Sequence, residues 1–408
     1  MSAPRVGWPD PGEFAPPPDA AQHGAWAAAD RAARPARLGR LRDRFTAEGI
    51  DAYFGVRREH MRYLTGFTLA EGEEKSAGNS GQFLVGADEV VVLADSRYTI
   101  QVRREASDTR LFEAYGNLPN RWPDLLRSMG ARRVGVEAGF VSHATWERLA
   151  AAAPDVELVP IEGWLEADRA VKEPAELERV AAACAVADRA LATLLPEIRP
   201  GVTEATLALR LEWLMRTGGA EALAFDVACL SGPEAALPHG APGDRPVLED
   251  TVLLFDFGAQ VAGYRSDMTR TLFVGEPSAR DLAVYELVAA AQVAAISAVE
   301  AAAGDGRELP SGRAVDAVAR SVIDRGGHGE HFGHGTGHGI GLATHEAPSL
   351  GKTAAETPLP SPTVFSVEPG IYLDGEMGVR IEDLIALDAD TGRVERLTCF
   401  PREVLVVG

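Results

Sequence analysis

Residues 253–271 read LLFDFGAQVAGYRSDMTRT. Two apolar runs flank a middle bracketed by Gly258 and Gly263, the pattern of two strands joined by a turn. If the runs pair, Asp256 and Asp267 come near each other on one face of the hairpin. An aspartate inside an apolar strand such as VLLFDFG costs free energy unless it is paired or bound to a cation. The same holds for Glu368 in TVFSVEPG and Glu382 in GVRIEDLIAL. Any one of these acids could simply face water from an alternating strand. Four of them make coincidence a poor explanation.

Residues 331–348, HFGHGTGHGIGLATHEAP, hold four of the nine histidines and five glycines. A solvated glycine loop is the plain interpretation; a metal site is the sharper one. Carboxylates with an imidazole suit manganese, cobalt, zinc or ferrous iron better than a thiolate-seeking metal. Two bridging carboxylates could hold two ions roughly 3.5–4 Å apart, with a water between them that ionises near neutral pH. Glycines let the backbone turn tightly and approach such ions without a Cβ in the way. Cys184, Cys229 and Cys399 are far apart, so neither a disulfide framework nor a thiolate zinc site is signalled.

The chain has 408 residues and a formal net charge of −20. That length allows two domains, and the charge argues against nucleic acid or an anionic membrane as a partner. The start, MSAPRVGWPDPGEFAPPPDA, lacks the apolar core of a signal peptide. No uninterrupted apolar run approaches the roughly 20 residues of a membrane span, so the cytoplasm is the expected compartment. Residues 1–27 are rich in Pro and Ala and are expected to be flexible or draped on the surface. A Leu-spaced helix is expected from about Asp30 to Glu48. Strands at DAYFGV, QFLVG and EVVVLAD then alternate with helices at RWPDLLRSMG and HATWERLAAA, an α/β domain over 28–163. Pro174 suits the first turn of a long helix, and another helix ends at the double glycine 218–219. Helices over 278–303 and 310–326 and antiparallel hairpins make 164–408 an α+β domain. Its last strands are expected in TVFSVEPGIYL, GVRIEDLIAL and REVLVVG.

The ordered segments DFGAQVAGYRSDMTRT, GHGTGHGIGLATHEAP, SVEPGIY and GVRIED resemble the pita-bread metallopeptidases, the family of creatinase, aminopeptidase P and prolidase. The resemblance covers roughly 165–408. YLTGF and LADSRYTIQ more weakly resemble the family's creatinase-like N-terminal domain. It implies a pita-bread catalytic domain with two divalent metal ions per chain, manganese first, cobalt or zinc as alternatives. The implied ligands are Asp256, Asp267, His338, Glu368 and Glu382, with Asp267 and Glu382 bridging. Glu368 would also shuttle a proton with a metal-bridging hydroxide. His345 and His239 are similar to the family's substrate-side histidines. Arg380 resembles the arginine that steadies a metal carboxylate, and His334 is expected to support the loop.

The resemblance also implies the substrate: Xaa-Pro dipeptides or short peptides, cut by a homodimer. Xaa-Pro dipeptidase (prolidase) is the preferred activity. Xaa-Pro aminopeptidase acting on longer peptides is the alternative, and a non-catalytic peptide-binding scaffold the rival from another class. A dipeptidase must hold the proline carboxylate, a task suited to arginine. Some prolidases carry an arginine just after HExP, where HEAPSL has Ser349. Arg57, Arg58 or Lys75, the last in the loop 69–81, could serve in its place.

Overall fold

The computed structural model describes residues 7–69, 81–113 and 118–408. They form two units, Ala21–Asp168 and a second comprising Arg169–Gly408 with the chain up to Ala20. Lys75 and nearly all of the loop 69–81 lie outside the described residues.

The first unit is built on six strands: β1 (Ala52–Gly55), β2 (Gln82–Gly86), β3 (Val90–Ala94), β4 (Arg110–Glu113), β5 (Arg133–Glu137) and β6 (Glu157–Ile161), in spatial order β4-β3-β2-β1-β5-β6. Strand β1 pairs antiparallel with β2 and parallel with β5, so the sheet is mixed. Phe54, Leu84, Val91 and Val134 from the sheet share one core with Trp122, Leu125 and Leu149 from the helices Leu118–Ser128 and His143–Ala152. The first helix runs Ala20–Glu48, ten residues longer at its start than the leucine spacing indicates. Residues 20–29 are mostly alanine, the strongest helix former, but they carry little apolar period to read. Arg57 is engaged within this unit, on Glu59 and Glu166 and over the Phe140 ring.

Residues 7–19 lie along the second unit. A 3-10 turn at Pro11–Glu13 is capped by Asp10, the Trp8 indole donates to the Val406 carbonyl at 2.9 Å, and Phe14 stacks on Phe400. The chain then forms the helices Pro174–Leu194 and Glu204–Thr217 and strands β7 (Ala222–Leu223) and β8 (Ala228–Ser231). Next come β9 (Thr251–Phe257), β10 (Ala259–Val261), β11 (Tyr264–Arg265) and β12 (Met268–Val274). Strands β9 and β12 pair antiparallel over their full length, from Phe257–Met268 to Thr251–Val274. Their connection is itself a small hairpin: Ala262 and Gly263 have φ of 47° and 84°, the two left-handed residues of a type I′ turn.

After the helices Ala279–Gly304 and Gly312–Arg325 come β13 (Gly337–Gly339), β14 (Glu346–Leu350), β15 (Thr363–Val367), β16 (Gly370–Leu373), β17 (Met377–Arg380), β18 (Asp383–Asp388), β19 (Arg393–Arg396) and β20 (Val406–Val407). The two larger sheets run β20-β12-β9-β8 and β14-β13-β15-β18-β19, and β16 and β17 form a separate ribbon. The expected strand in REVLVVG is reduced to β20. By length and composition the helix Ala279–Gly304 could cross a membrane, although Glu286, Gln292 and Glu300 interrupt its apolar run. Here its Val284, Val288, Ala291, Ala295 and Val299 are buried in the core shared with Leu254, Phe365, Ile371 and Ile385.

Candidate metal centre and active-site cavity

The strand pairing brings the two aspartates together. Asp256 stands opposite Thr269 in the β9–β12 ladder, and Asp267 lies two residues before Thr269, so all three share one face. The glutamates are placed differently from the in-strand positions read from sequence. Glu368 follows β15 and precedes Pro369, which has no N–H to continue a ladder. Glu382 lies between β17 and β18. Each acid occupies a break between two strands. His338 is the central residue of β13, a strand made of Gly-His-Gly. A Cβ at Gly337 would lie 1.9 Å from the Ser366 carbonyl oxygen, so only glycine permits this approach.

These side chains meet at a cavity of about 610 Å³ whose wall includes His239, Asp256, Asp267, His334, His338, His345, Glu368, Arg380 and Glu382. Asp267, His338 and Glu382 each offer a ligand atom within 4.8 Å of the others. His338 Nε2 lies 3.3 Å from Glu368 Oε1 and 3.6 Å from Asp267 Oδ2. Its Nδ1 is 3.0 Å from its neighbour's carbonyl, Gly339 O, so Nδ1 donates there and Nε2 faces the acids. The rings of His338 and His345 are 4.2 Å apart.

The electrostatics divide the acids. Burial and the neighbouring carboxylates hold Asp267 and Glu382 well above the usual range, and burial raises Asp256 against the pull of Arg380. Burial also works against Glu368 and His338, but their contact outweighs it, taking the carboxyl down to about 2 and the imidazole up to about 9. Asp256 Oδ1 and Glu382 Oε1 are buried with no hydrogen-bond partner in the protein. Buried carboxylate oxygens without donors are costly as anions unless a cation meets them, and a bound divalent ion would supply that charge. Four carboxylates and one imidazole whose Nε2 faces them are the donors a hard or borderline divalent ion takes. The residues fit such ions.

Several working residues escaped the sequence reading. Thr269 Oγ1 donates to Glu382 Oε2 at 2.8 Å and accepts from Arg380 Nε at 2.9 Å. Arg380 also donates to Asp256 Oδ2 at 2.6 Å and to the Tyr372 hydroxyl at 2.8 Å. Tyr372 in turn lies 2.8 Å from His334 Nε2, whose Nδ1 donates to Gly335 O. His334 therefore reaches the acids through Tyr372 and Arg380. The Ser366 hydroxyl donates to Glu368 Oε1 and accepts from the His338 N–H, both at 3.0 Å. Period-two spacing from Asp267 to Thr269 and from Ser366 to Glu368 was the signal available. Beside His345, the buried Glu346 pairs with Arg169 and, at 2.9 Å, with Lys172, and accepts from the Ala343 N–H. Among the described residues of the cavity wall the one guanidinium is Arg380.

Comparison with known proteins gives this arrangement its class. Residues 178–389 match the model of metallopeptidase family M24, and residues 37–171 match the creatinase/prolidase N-terminal domain. The chain belongs to family M24, with a creatinase-like N-terminal domain and a pita-bread catalytic domain, and membership implies divalent metal ions. It is 35% identical over 272 residues to an Xaa-Pro dipeptidase of Pyrococcus furiosus, covering 67% of this chain and 75% of that one. A solved X-Pro aminopeptidase of Thermotoga maritima aligns with TM-score 0.81 and 34% identity over 91% of this chain and 99% of that one. An Xaa-Pro dipeptidase of Bacillus anthracis aligns with TM-score 0.83 and 32% identity over 92% and 100%.

Proposed function

We propose that this protein is a proline-specific metallopeptidase that hydrolyses Xaa-Pro bonds, with Xaa-Pro dipeptides as preferred substrates, and that it works in the cytoplasm as a homodimer. The observation that carries the reading is the convergence of Asp256, Asp267, His338, Glu368 and Glu382 at one cavity, with two buried carboxylate oxygens lacking any donor. The five would hold two divalent ions, manganese first, with cobalt or zinc as alternatives. When bound, such ions polarise the scissile carbonyl and supply an activated water. The chain's residues do the rest. Glu368 would take a proton from the attacking water and deliver it to the leaving proline nitrogen. His345 and His239, at the cavity wall, orient the substrate. Arg380 neutralises and fixes Asp256, and His334 steadies Arg380 through Tyr372.

The dipeptidase preference rests on the compact join from Glu368 to Arg380 and on the dipeptidase relatives. One observation favours the aminopeptidase alternative. Arg380, the one guanidinium in the described cavity wall, is already engaged, and Ser349 stands where an arginine would hold a substrate carboxylate. Incubation with Ala-Pro and with Arg-Pro-Pro, with Mn2+ supplied, decides between them. Cleavage of Ala-Pro is expected. Cleavage of Arg-Pro-Pro alone would overturn the dipeptidase preference, and inertness towards both, with no bound metal, would overturn the peptidase reading.

A further inference from the structure

Beneath the cavity lies a second polar layer that does not line it. Gln292, wholly buried in the helix Ala279–Gly304, donates from Nε2 to the carbonyls of Val367 and Ile381, both at 3.2 Å. Those residues immediately precede Glu368 and Glu382. Arg270, 1% exposed, donates to the carbonyl of Glu382 itself and, at 2.9 Å, to that of Thr269, two residues after Asp267. It is anchored from behind by Pro401 O and Phe400 O, both at 2.8 Å. Asp383, fully buried, joins the two: Oδ1 accepts from Arg270 at 2.6 Å and Oδ2 from Gln292 at 3.0 Å, with Thr398 Oγ1 also donating to Oδ1 at 2.6 Å.

A buried ion pair seldom stabilises a fold more than apolar residues of the same size would, so stability is a weak reason for this one. Where its hydrogen bonds land is more informative. The β15–β18 ladder ends at the pair Val367–Asp383. Both glutamate-bearing segments leave the sheet there, and their backbone needs other donors. Gln292 and Arg270 supply them, and they touch the segments of three of the five ligand residues.

We propose that Gln292, Arg270 and Asp383 are positioning residues that set the spacing of Asp267, Glu368 and Glu382, and thereby the affinity for the weaker-held of the two ions. This rests on the dinuclear reading above. The spacing between carboxylates decides whether two ions can share them; a small shift of one segment leaves a site for one ion and spoils the other. Outer partners of ligands typically contribute 10–100-fold in metal affinity.

The test uses full-length wild type, Gln292→Met and Arg270→Lys, stripped with chelator and titrated with Mn2+ by calorimetry and by electron paramagnetic resonance of free Mn2+. Wild type is expected to bind two ions. Both variants should hold the first ion with wild-type affinity and the second 10–100-fold more weakly. At saturating Mn2+ their KM for an Xaa-Pro peptide should be unchanged and their kcat restored. Unaltered affinity for both ions in the variants, whatever their melting temperatures, would overturn the proposal. If Arg270→Lys does not fold, Gln292→Met, which removes no charge, decides alone. Wild type that binds no divalent ion overturns the metallopeptidase reading itself, an outcome distinct from two ions bound equally well by all three proteins.

Discussion

Replacing Glu346 with alanine tests the electrostatic construction around His345. The Glu346 side chain is 2% exposed, and its partners Arg169 and Lys172 are 2% and 1% exposed. Burial alone would raise this carboxyl, but Arg169 and Lys172 override it and hold it below its ordinary value. A carboxylate depressed in the fold stabilises above its unfolded pKa, and that contribution is lost as pH falls through the folded value. At pH 7 it is therefore fully present. Removing it breaks the buried pair with Lys172, a change that costs about 3–5 kcal/mol.

For a unit of this size each kcal/mol shifts Tm by roughly 2–4 °C, so the transition should fall by about 6–20 °C. Differential scanning calorimetry at pH 7 is the assay, because it reads the transition temperature directly. The comparison also carries a pH signature: the stability gap between wild type and variant should narrow as pH falls through the depressed folded value of Glu346. Glu346→Gln, which keeps the shape, should lose less than Glu346→Ala. A Tm within 2 °C of wild type at pH 7 would refute the reasoning.

Other perturbations probe neighbouring links. Asp267→Ala and Glu382→Ala should each abolish Xaa-Pro cleavage and lower bound metal, measured by elemental analysis of the purified protein; full activity with intact metal would sink the ligand assignment. Thr269→Val breaks the contacts to Glu382 and Arg380. It should cost about 1–3 kcal/mol in urea unfolding and about 10–100-fold in metal affinity. Gly337→Ala forces a Cβ to 1.9 Å from the Ser366 carbonyl, so loss of the His338 geometry and of metal binding is expected, and a wild-type Kd for Mn2+ would contradict it. Asp188 is raised to about 6, chiefly by burial. Its protonated form stabilises below the unfolded value near 4, and this is lost as pH rises through about 6, a difference of roughly 3 kcal/mol. Asp188→Asn should remove that slope from the pH 4–7 denaturation profile relative to wild type.

Local pattern made much of this molecule legible. The β9–β12 pairing follows from two apolar runs around a glycine-bracketed turn, and Pro174 opens the helix Pro174–Leu194 as its fixed φ suggests. The nine residues singled out lie at one cavity. What stayed hidden depends on contacts distant in sequence. Glu346 meets Arg169 and Lys172 more than 170 residues away, and Arg270 meets Asp383 across 113. No window-based pattern holds such partners. Composition misled in two other places: an alanine-rich start concealed nearly three turns of the helix Ala20–Glu48, and continuous apolar runs concealed the breaks at Glu368 and Glu382.

Those breaks have a physical reason. Inside a regular strand a side chain can face only one of two sides, set by the pleat. Asp256 obeys that rule and reaches the cavity from within β9. Glu368 and Glu382 come from another sheet, and leaving the ladder frees them to turn towards the same space as the aspartates. The freed backbone must then find partners: the Glu368 N–H donates to Thr336 O at 2.8 Å and the Glu382 N–H to Thr269 O at 3.1 Å, while the carbonyls of Val367, Ile381 and Glu382 take Gln292 and Arg270. Apolar replacements of Gln292 and Arg270 could pack as well, yet they would leave buried carbonyls unpaired, and an apolar replacement of Asp383 would strand the donors of Arg270, Gln292 and Thr398, at about 1–3 kcal/mol apiece. The polar layer is therefore a consequence of placing acids at strand ends, and strand ends are where acids from two sheets can face one another.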